Sequence, residues 1–197
     1  GNRHRAQLFT QSQFDGNRTA ARIAICAALA AALAYPHVVA SDFWIKFAFT
    51  TLLFAYMGQA WNVLGGYGGQ FSFGHALFFG TGAYAAVLSQ TLLGTDPWLG
   101  PLFGAIAGGL AGAFAGFLSF RYGLRGSYFA LVTLAFAEVF RILANAADFT
   151  GGGVGAFIPL APGWRRLQPD YAGLYYVALG LVVASIALVW KLSLIHI

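Results

Sequence analysis

A few polar side chains carry the chemistry that the apolar bulk of this sequence lacks. Glu138 and Arg141 stand three residues apart in the run SYFALVTLAFAEVFRILANA. That spacing puts both on one helical face and allows a local ion pair. Upstream, GGYGGQFSFGHALFFGTGAY at residues 65–84 gathers Gln70, Ser72, His75 and Thr81 among seven glycines. These groups can donate to or accept from backbone that leaves regular structure. A single histidine reads first as a hydrogen-bonded structural residue and second as a ligand or proton carrier. Cys26 is the lone cysteine, so neither an internal disulfide nor a cysteine metal framework can form. There is no G-x-x-x-x-G-K-[ST] phosphate loop, no catalytic pair and no metal cluster. Expected catalytic residues, metal and cofactors are therefore none.

The elements that position these residues lie in a membrane. Of 197 residues, 59% are hydrophobic and 9% charged, against about 25% charged in soluble domains. So little charge cannot cover a soluble surface. The net charge of +5 does not indicate nucleic acid, because of where the cations sit. Arg3, Arg5, Arg18 and Arg22 precede the first apolar run, and Arg121 and Arg125 lie between two later ones. Cationic loops mark the cytoplasmic face, so the N-terminus is expected inside. No cleavable signal peptide is read at the start.

A span needs about 20 mostly apolar residues. Six are expected, at 22–40, 43–64, 73–93, 100–120, 127–147 and 172–190, giving an all-α polytopic membrane protein. The segment 148–171 carries Pro159, Pro162 and Pro169, which argue against a continuous helix. It is either an outer cap that touches a partner or a plain connection. In the fourth span Gly100, Gly104, Gly108, Gly112 and Gly116 recur every four residues, with Ala107, Ala111 and Ala115 beside them. Small residues four apart make a flat ridge on which another helix can pack closely in lipid.

Glu138 falls near the middle of the fifth span, where a carboxylate is costly and must face protein or a water-filled cavity. It belongs either to a translocation path or to a structural ion pair. Lys46, near the outer end of the second span, is expected to reach the interface. Gln59 and Asn62, late in that span, can bond freed backbone or bridge helices. The glycine-rich stretch has two readings. One is a broken start to the third span, held inside the bundle as in transporters. The other is a cytoplasmic turn before an ordinary helix.

GGYGGQFSFGHALFFGTGAYAAVL and LRGSYFALVTLAFAEVFR, in this order, resemble the larger of the two membrane permease subunits in bacterial branched-chain amino acid ABC importers. The resemblance covers about residues 54–155, and TGGGVG at 150–155 is similar to a segment that follows the same helix in that family. It implies a permease of the bacterial inner membrane that hydrolyses nothing itself. Its partners would be a second permease subunit, two ATP-binding subunits and a periplasmic substrate-binding protein. By the family pattern Gly69, Gln70, Ser72, Gly74 and His75 match one signature, and Tyr128, Thr133 and Glu138 the other. Gln70, Ser72, His75, Thr133 and Glu138 are the path or gating candidates; Gly69, Gly74, Gly104, Gly108 and Gly112 are the packing glycines. Permeases for urea or short-chain amides carry similar segments and are the alternative. A membrane enzyme fits less well, since it needs convergent polar side chains at membrane depth and only Glu138 and His75 qualify; a purely structural scaffold fits the glycine ridge but not a central Glu138.

The sequence departs from that family at its ends. It begins with Gly and stops just after the sixth span, where the family continues into a cytoplasmic loop and further helices. The permease domain is expected to be an incomplete fragment over 22–191, after a cytoplasmic segment over 1–21. The tail 192–197, LSLIHI, is expected to be non-native, similar to a translated sequencing adapter.

Overall fold

The computed structural model describes residues 20, 23–158 and 161–195. The expected N-terminal segment and its arginines lie outside them, apart from residue 20. Among the described residues the chain is helix and turn, with one isolated bridge between Gly163 and Gln168. The helices are α1 (Ile23–Val38), α2 (Asp42–Asn62), α3 (His75–Leu93), α4 (Gly100–Arg121), α5 (Ser127–Ala146) and α6 (Tyr171–Ile195). The protein is an all-α polytopic membrane protein.

Six helices thus stand where six spans are expected, but four are long and apolar enough to cross a bilayer: α3, α4 with its preceding turn, α5 and α6. The described part of α1, rising about 1.5 Å per residue, falls short of a hydrocarbon core about 30 Å thick. α2 has the length, at 21 residues, but Asp42, Lys46, Gln59 and Asn62 dilute its apolar character. The third helix begins at His75 rather than Phe73, because Ser72 and Gly74 still lie in irregular backbone. α6 shows no break at Lys191 and stays helical to Ile195.

The helices form two groups. In the first, α2 packs along α6 around buried Ile45, Tyr175 and Leu179, with Ala32 and Tyr35 of α1 against them. Pro36 has no N–H to give the carbonyl four residues earlier, which is that of Ala32. The Tyr175 hydroxyl donates to that carbonyl at 2.8 Å. Tyr176 donates to the Leu33 carbonyl at 2.9 Å, and the Tyr35 and Tyr175 rings stack 5.8 Å apart. Lys46 places its ammonium 5.9 Å from the centre of the Tyr171 ring.

In the second group α3 packs along α4 and α5 leans on α3, around buried Leu77, Ala111 and Ala115. Here backbone meets backbone. A methyl group added at Gly82 or at Gly104 would sit 2.9 Å from the other's carbonyl oxygen, and one at Gly108 would sit 3.0 Å from that of Phe78.

Helix ends follow local chemistry. Gly94, in the left-handed region, stops α3, and the Thr95 hydroxyl donates back to the Ser89 carbonyl at 2.8 Å. The stretch from Ala147 to Asp170 is not a helix but a chain of three short turns among the described residues. One of them touches the Pro97–Leu99 turn before α4. Between these turns lies a cavity of about 700 Å³, bordered by Gln90, Asp96, Arg165 and Arg166.

Candidate functional site

The residues of the first signature sit where α2 gives way to α3. α2 passes into a wide turn over Val63–Tyr67, closed by bonds from Gly68 N–H to the Val63 carbonyl and from Gln70 N–H to that of Leu64, both 3.1 Å. The turn widens where Gly65 slides under the Trp61 indole; a methyl group there would stand 3.1 Å from the ring. Gly69 takes φ +62° with open space around it, so its requirement is backbone freedom.

From Gln70 to Gly74 the chain is irregular, and its polar groups are met from two helices. The Trp61 indole N–H of α2 donates to the Ser72 carbonyl at 2.8 Å. Ser72, 1% exposed, accepts the Gly74 N–H on its hydroxyl at 3.2 Å. From α5, the Thr133 hydroxyl accepts the Phe73 N–H at 3.2 Å and donates to the Ala130 carbonyl at 2.9 Å. Gly74 rests directly on the Thr133 carbonyl, leaving no room for a side chain. Ser72, Gly74 and Thr133 therefore form one node that fixes the start of α3 to α5. His75 follows it, edge-on to Phe78 with ring centres 5.6 Å apart. His75 Nδ1 and Gln70 Oε1 are buried and have no hydrogen-bond partner among the described residues.

Glu138 lies apart from this node, further along α5. Arg141 holds it with two hydrogen bonds, Nε to Oε2 at 2.9 Å and Nη2 to Oε1 at 2.6 Å. The pair is not packed away: the Arg141 and Glu138 side chains are 62% and 53% exposed. It borders a groove of about 800 Å³ between α3 and α5, whose far wall includes Leu77, Thr81, Tyr84 and Leu88. α3 thus has two faces. Phe78 and Gly82 meet α4, while Thr81 and Tyr84 face the groove. Of the packing glycines, Gly104 and Gly108 abut α3 backbone, whereas Gly112 meets only the Phe78 ring, at 3.8 Å. Tyr128 is exposed at the start of α5.

Residues 43–193 match the family model of the permease component of branched-chain amino acid transport systems. The chain belongs to that family. It is 32% identical over 145 residues to the high-affinity branched-chain amino acid transport system permease protein LivM of Escherichia coli (strain K12), covering 73% of this chain and 33% of the relative. The same figures hold for LivM of Salmonella typhimurium (strain LT2). The matched part is thus a third of the length of these relatives. No solved structure matches.

Two residues of this region, Trp61 and Asn145, went unremarked in the sequence, and the TGGG run was noted there only for its resemblance. Trp61 stands four residues before Gly65, a spacing at which an indole can cover a glycine. Asn145, seven residues beyond Glu138, borders the same groove. The TGGG run is a helix stop: the Thr150 hydroxyl lies 2.5 and 2.6 Å from the Ala144 and Ala147 carbonyls. Gly151 and Gly152 then turn the chain in the left-handed region.

Proposed function

We propose that this chain is membrane permease sequence of an ABC importer, and that it helps form the path for branched-chain amino acids in a bacterial inner membrane. The family match over residues 43–193 carries this reading. The relatives named as high-affinity branched-chain amino acid permeases support the substrate class. In this reading the chain is not an enzyme. Separate ATP-binding subunits drive the cycle, a periplasmic binding protein delivers the substrate, and a second permease subunit completes the path.

The geometry supports a division of labour. Irregular backbone at membrane depth is tolerated where it is buried in protein or lines a cavity. We assign the 63–74 junction to this class: Gly65, Ser72 and Gly74 are buried in it, and its hydrogen bonds to Trp61 and Thr133 couple it to both helix groups. Gln70, Ser72, His75 and Thr133 would act here, at a joint whose movement opens or closes the path. Glu138 would act in the groove, on the path itself. Gly69 would serve the joint, and Gly74, Gly104, Gly108 and Gly112 the packing.

The test is uptake. Cells that lose the gene for this chain should lose saturable uptake of labelled leucine, isoleucine and valine. Uptake should return with the gene but not when the partner ATPase is inactivated. Unchanged amino acid uptake together with lost urea uptake would overturn the substrate assignment. Unchanged uptake of both would overturn the transport reading.

A further inference from the structure

We infer that Glu138 and Arg141 together form a station for a zwitterionic, apolar amino acid in the groove between α3 and α5. The inference rests on the permease reading above and adds what the groove recognises and by which atoms.

The ion pair faces open space near the middle of a span. Charges at that depth belong in a polar cavity, not against lipid. The pair also has unused capacity. A guanidinium carries five N–H donors and an ionised carboxylate about four acceptor positions. Glu138 engages Arg141 through Nε and Nη2, which leaves further donors on Arg141 and further lone pairs on Glu138. A ligand carboxylate can dock on the free guanidinium edge while its ammonium docks on Glu138, without breaking the pair.

The balance of charge selects the ligand. Glu138 and Arg141 cancel, so a ligand with one net charge would leave that charge uncompensated beside Leu77, Leu88, Leu134 and Phe140 of the groove. A zwitterion keeps the groove neutral and satisfies both poles. Its side chain then lies on the apolar walls. At about 800 Å³ the groove is in the range of small-molecule sites, roughly 300–1,000 Å³. Urea offers hydrogen bonds but neither charge nor an apolar part, so it uses little of this surface. Arg141 is as necessary as Glu138 on this account.

The experiment measures binding to the full chain in lipid nanodiscs by saturation-transfer NMR. The probes are L-leucine, 4-methylpentanoate (no ammonium), isopentylamine (no carboxylate) and urea. Leucine should bind at least about tenfold more tightly than each of the others, a gap of about 1.4 kcal/mol. Glu138→Gln and Arg141→Gln should each lower leucine affinity about tenfold, which corresponds to the same free energy. Equal binding of leucine and either single-charge analogue would overturn the station, as would no leucine binding or unchanged affinity in both variants. The analogue series needs no variant, so it decides the matter even if a substituted chain fails to fold. The outcomes also separate the two readings. Uptake that depends on the chain, with no zwitterion preference in binding, leaves the permease and removes the station. A clear zwitterion preference, with uptake that ignores the chain, does the reverse.

Discussion

Between α3 and α4 the backbones touch, whereas among α1, α2 and α6 the rings do. Both groups answer the same physical condition: helices in lipid gain little from excluding apolar surface, so association depends on close packing and hydrogen bonds. The α3–α4 pair uses glycine, with Gly82 and Gly104 laid on each other's carbonyls. The α1–α2–α6 group uses tyrosine, with Tyr175 packed beside Ile45 and Leu179 and its hydroxyl on the Ala32 carbonyl. A contact between two backbones cannot yield without moving a whole helix. A contact between rings can repack. The first group should therefore be brittle and the second forgiving, with the 63–74 junction between them.

The sharpest way to break this comparison is Gly104→Leu. Its side chain would have to occupy the space of the Gly82 carbonyl, and no rotamer avoids the first carbon. The expected loss exceeds about 3 kcal/mol, above the usual range for overpacking. Monodisperse protein in detergent should disappear on size exclusion. An unchanged elution profile and melting temperature would mean that the glycine contact is not what holds α3 to α4. Gly108→Leu should follow the same course with a smaller loss, because its methyl position is 3.0 Å from the Phe78 carbonyl. Gly74→Ala comes next, at about 2 kcal/mol, since its methyl would meet the Thr133 carbonyl. It strikes the node that positions α3 rather than the ridge. Thermal unfolding followed by tryptophan fluorescence is a suitable readout, as Trp61 reports on the same node.

The tyrosine side of the comparison is sharpened by a pair of substitutions. Tyr175→Phe keeps the ring and removes the donor to Ala32, for an expected loss of about 1 kcal/mol. Pro36→Ala restores a backbone N–H four residues beyond Ala32, so it should recover most of that loss in the double variant. A double-mutant cycle with no coupling between the two positions would refute the repair. Tyr176→Phe should cost less, within about 0.5 kcal/mol, because the Leu33 carbonyl still has the His37 N–H in helical register.

How far these features could be read from sequence depends on how local each cause is. The glycine ridge was legible, since a repeat of four on a helix is one face by construction. Its partner was not: the sequence does not say that the ridge meets Phe78 and Gly82 rather than another helix. The Glu138–Arg141 pair was legible from its spacing, but its position beside a groove depends on how α5 leans on α3. The wide turn after Asn62 was readable as glycine-rich irregularity, while its stitching by Trp61 and Thr133 was not. Phe73 and Thr133 are 60 residues apart, and no local pattern joins them. The repair of Pro36 by Tyr175 spans 143 residues between Ala32 and Tyr175, though a proline inside a span does signal that some donor must come from elsewhere. Among the described residues six helices stand at the six expected positions, and α2 is the one whose length was legible but whose polar groups lower its hydropathy below that of its neighbours.

The smallest expected effects test whether the ridge is a register or merely a composition. Gly108 and Gly109 are adjacent, yet a methyl at Gly108 crowds the Phe78 carbonyl while one at Gly109 meets nothing within 4 Å. Gly112 continues the repeat of four, but its methyl would lie in ordinary contact with the Phe78 ring at 3.8 Å. Alanine is favoured over glycine in a helix by about 1 kcal/mol. Gly109→Ala and Gly112→Ala should therefore leave melting unchanged or raise it slightly, whereas Gly108→Ala should lower it. If all three behave alike, small size alone matters along α4 and the backbone contact with α3 carries no register. If Gly112→Ala falls with Gly108→Ala, the close contact extends one turn further along α4 than the Phe78 and Gly82 carbonyls reach.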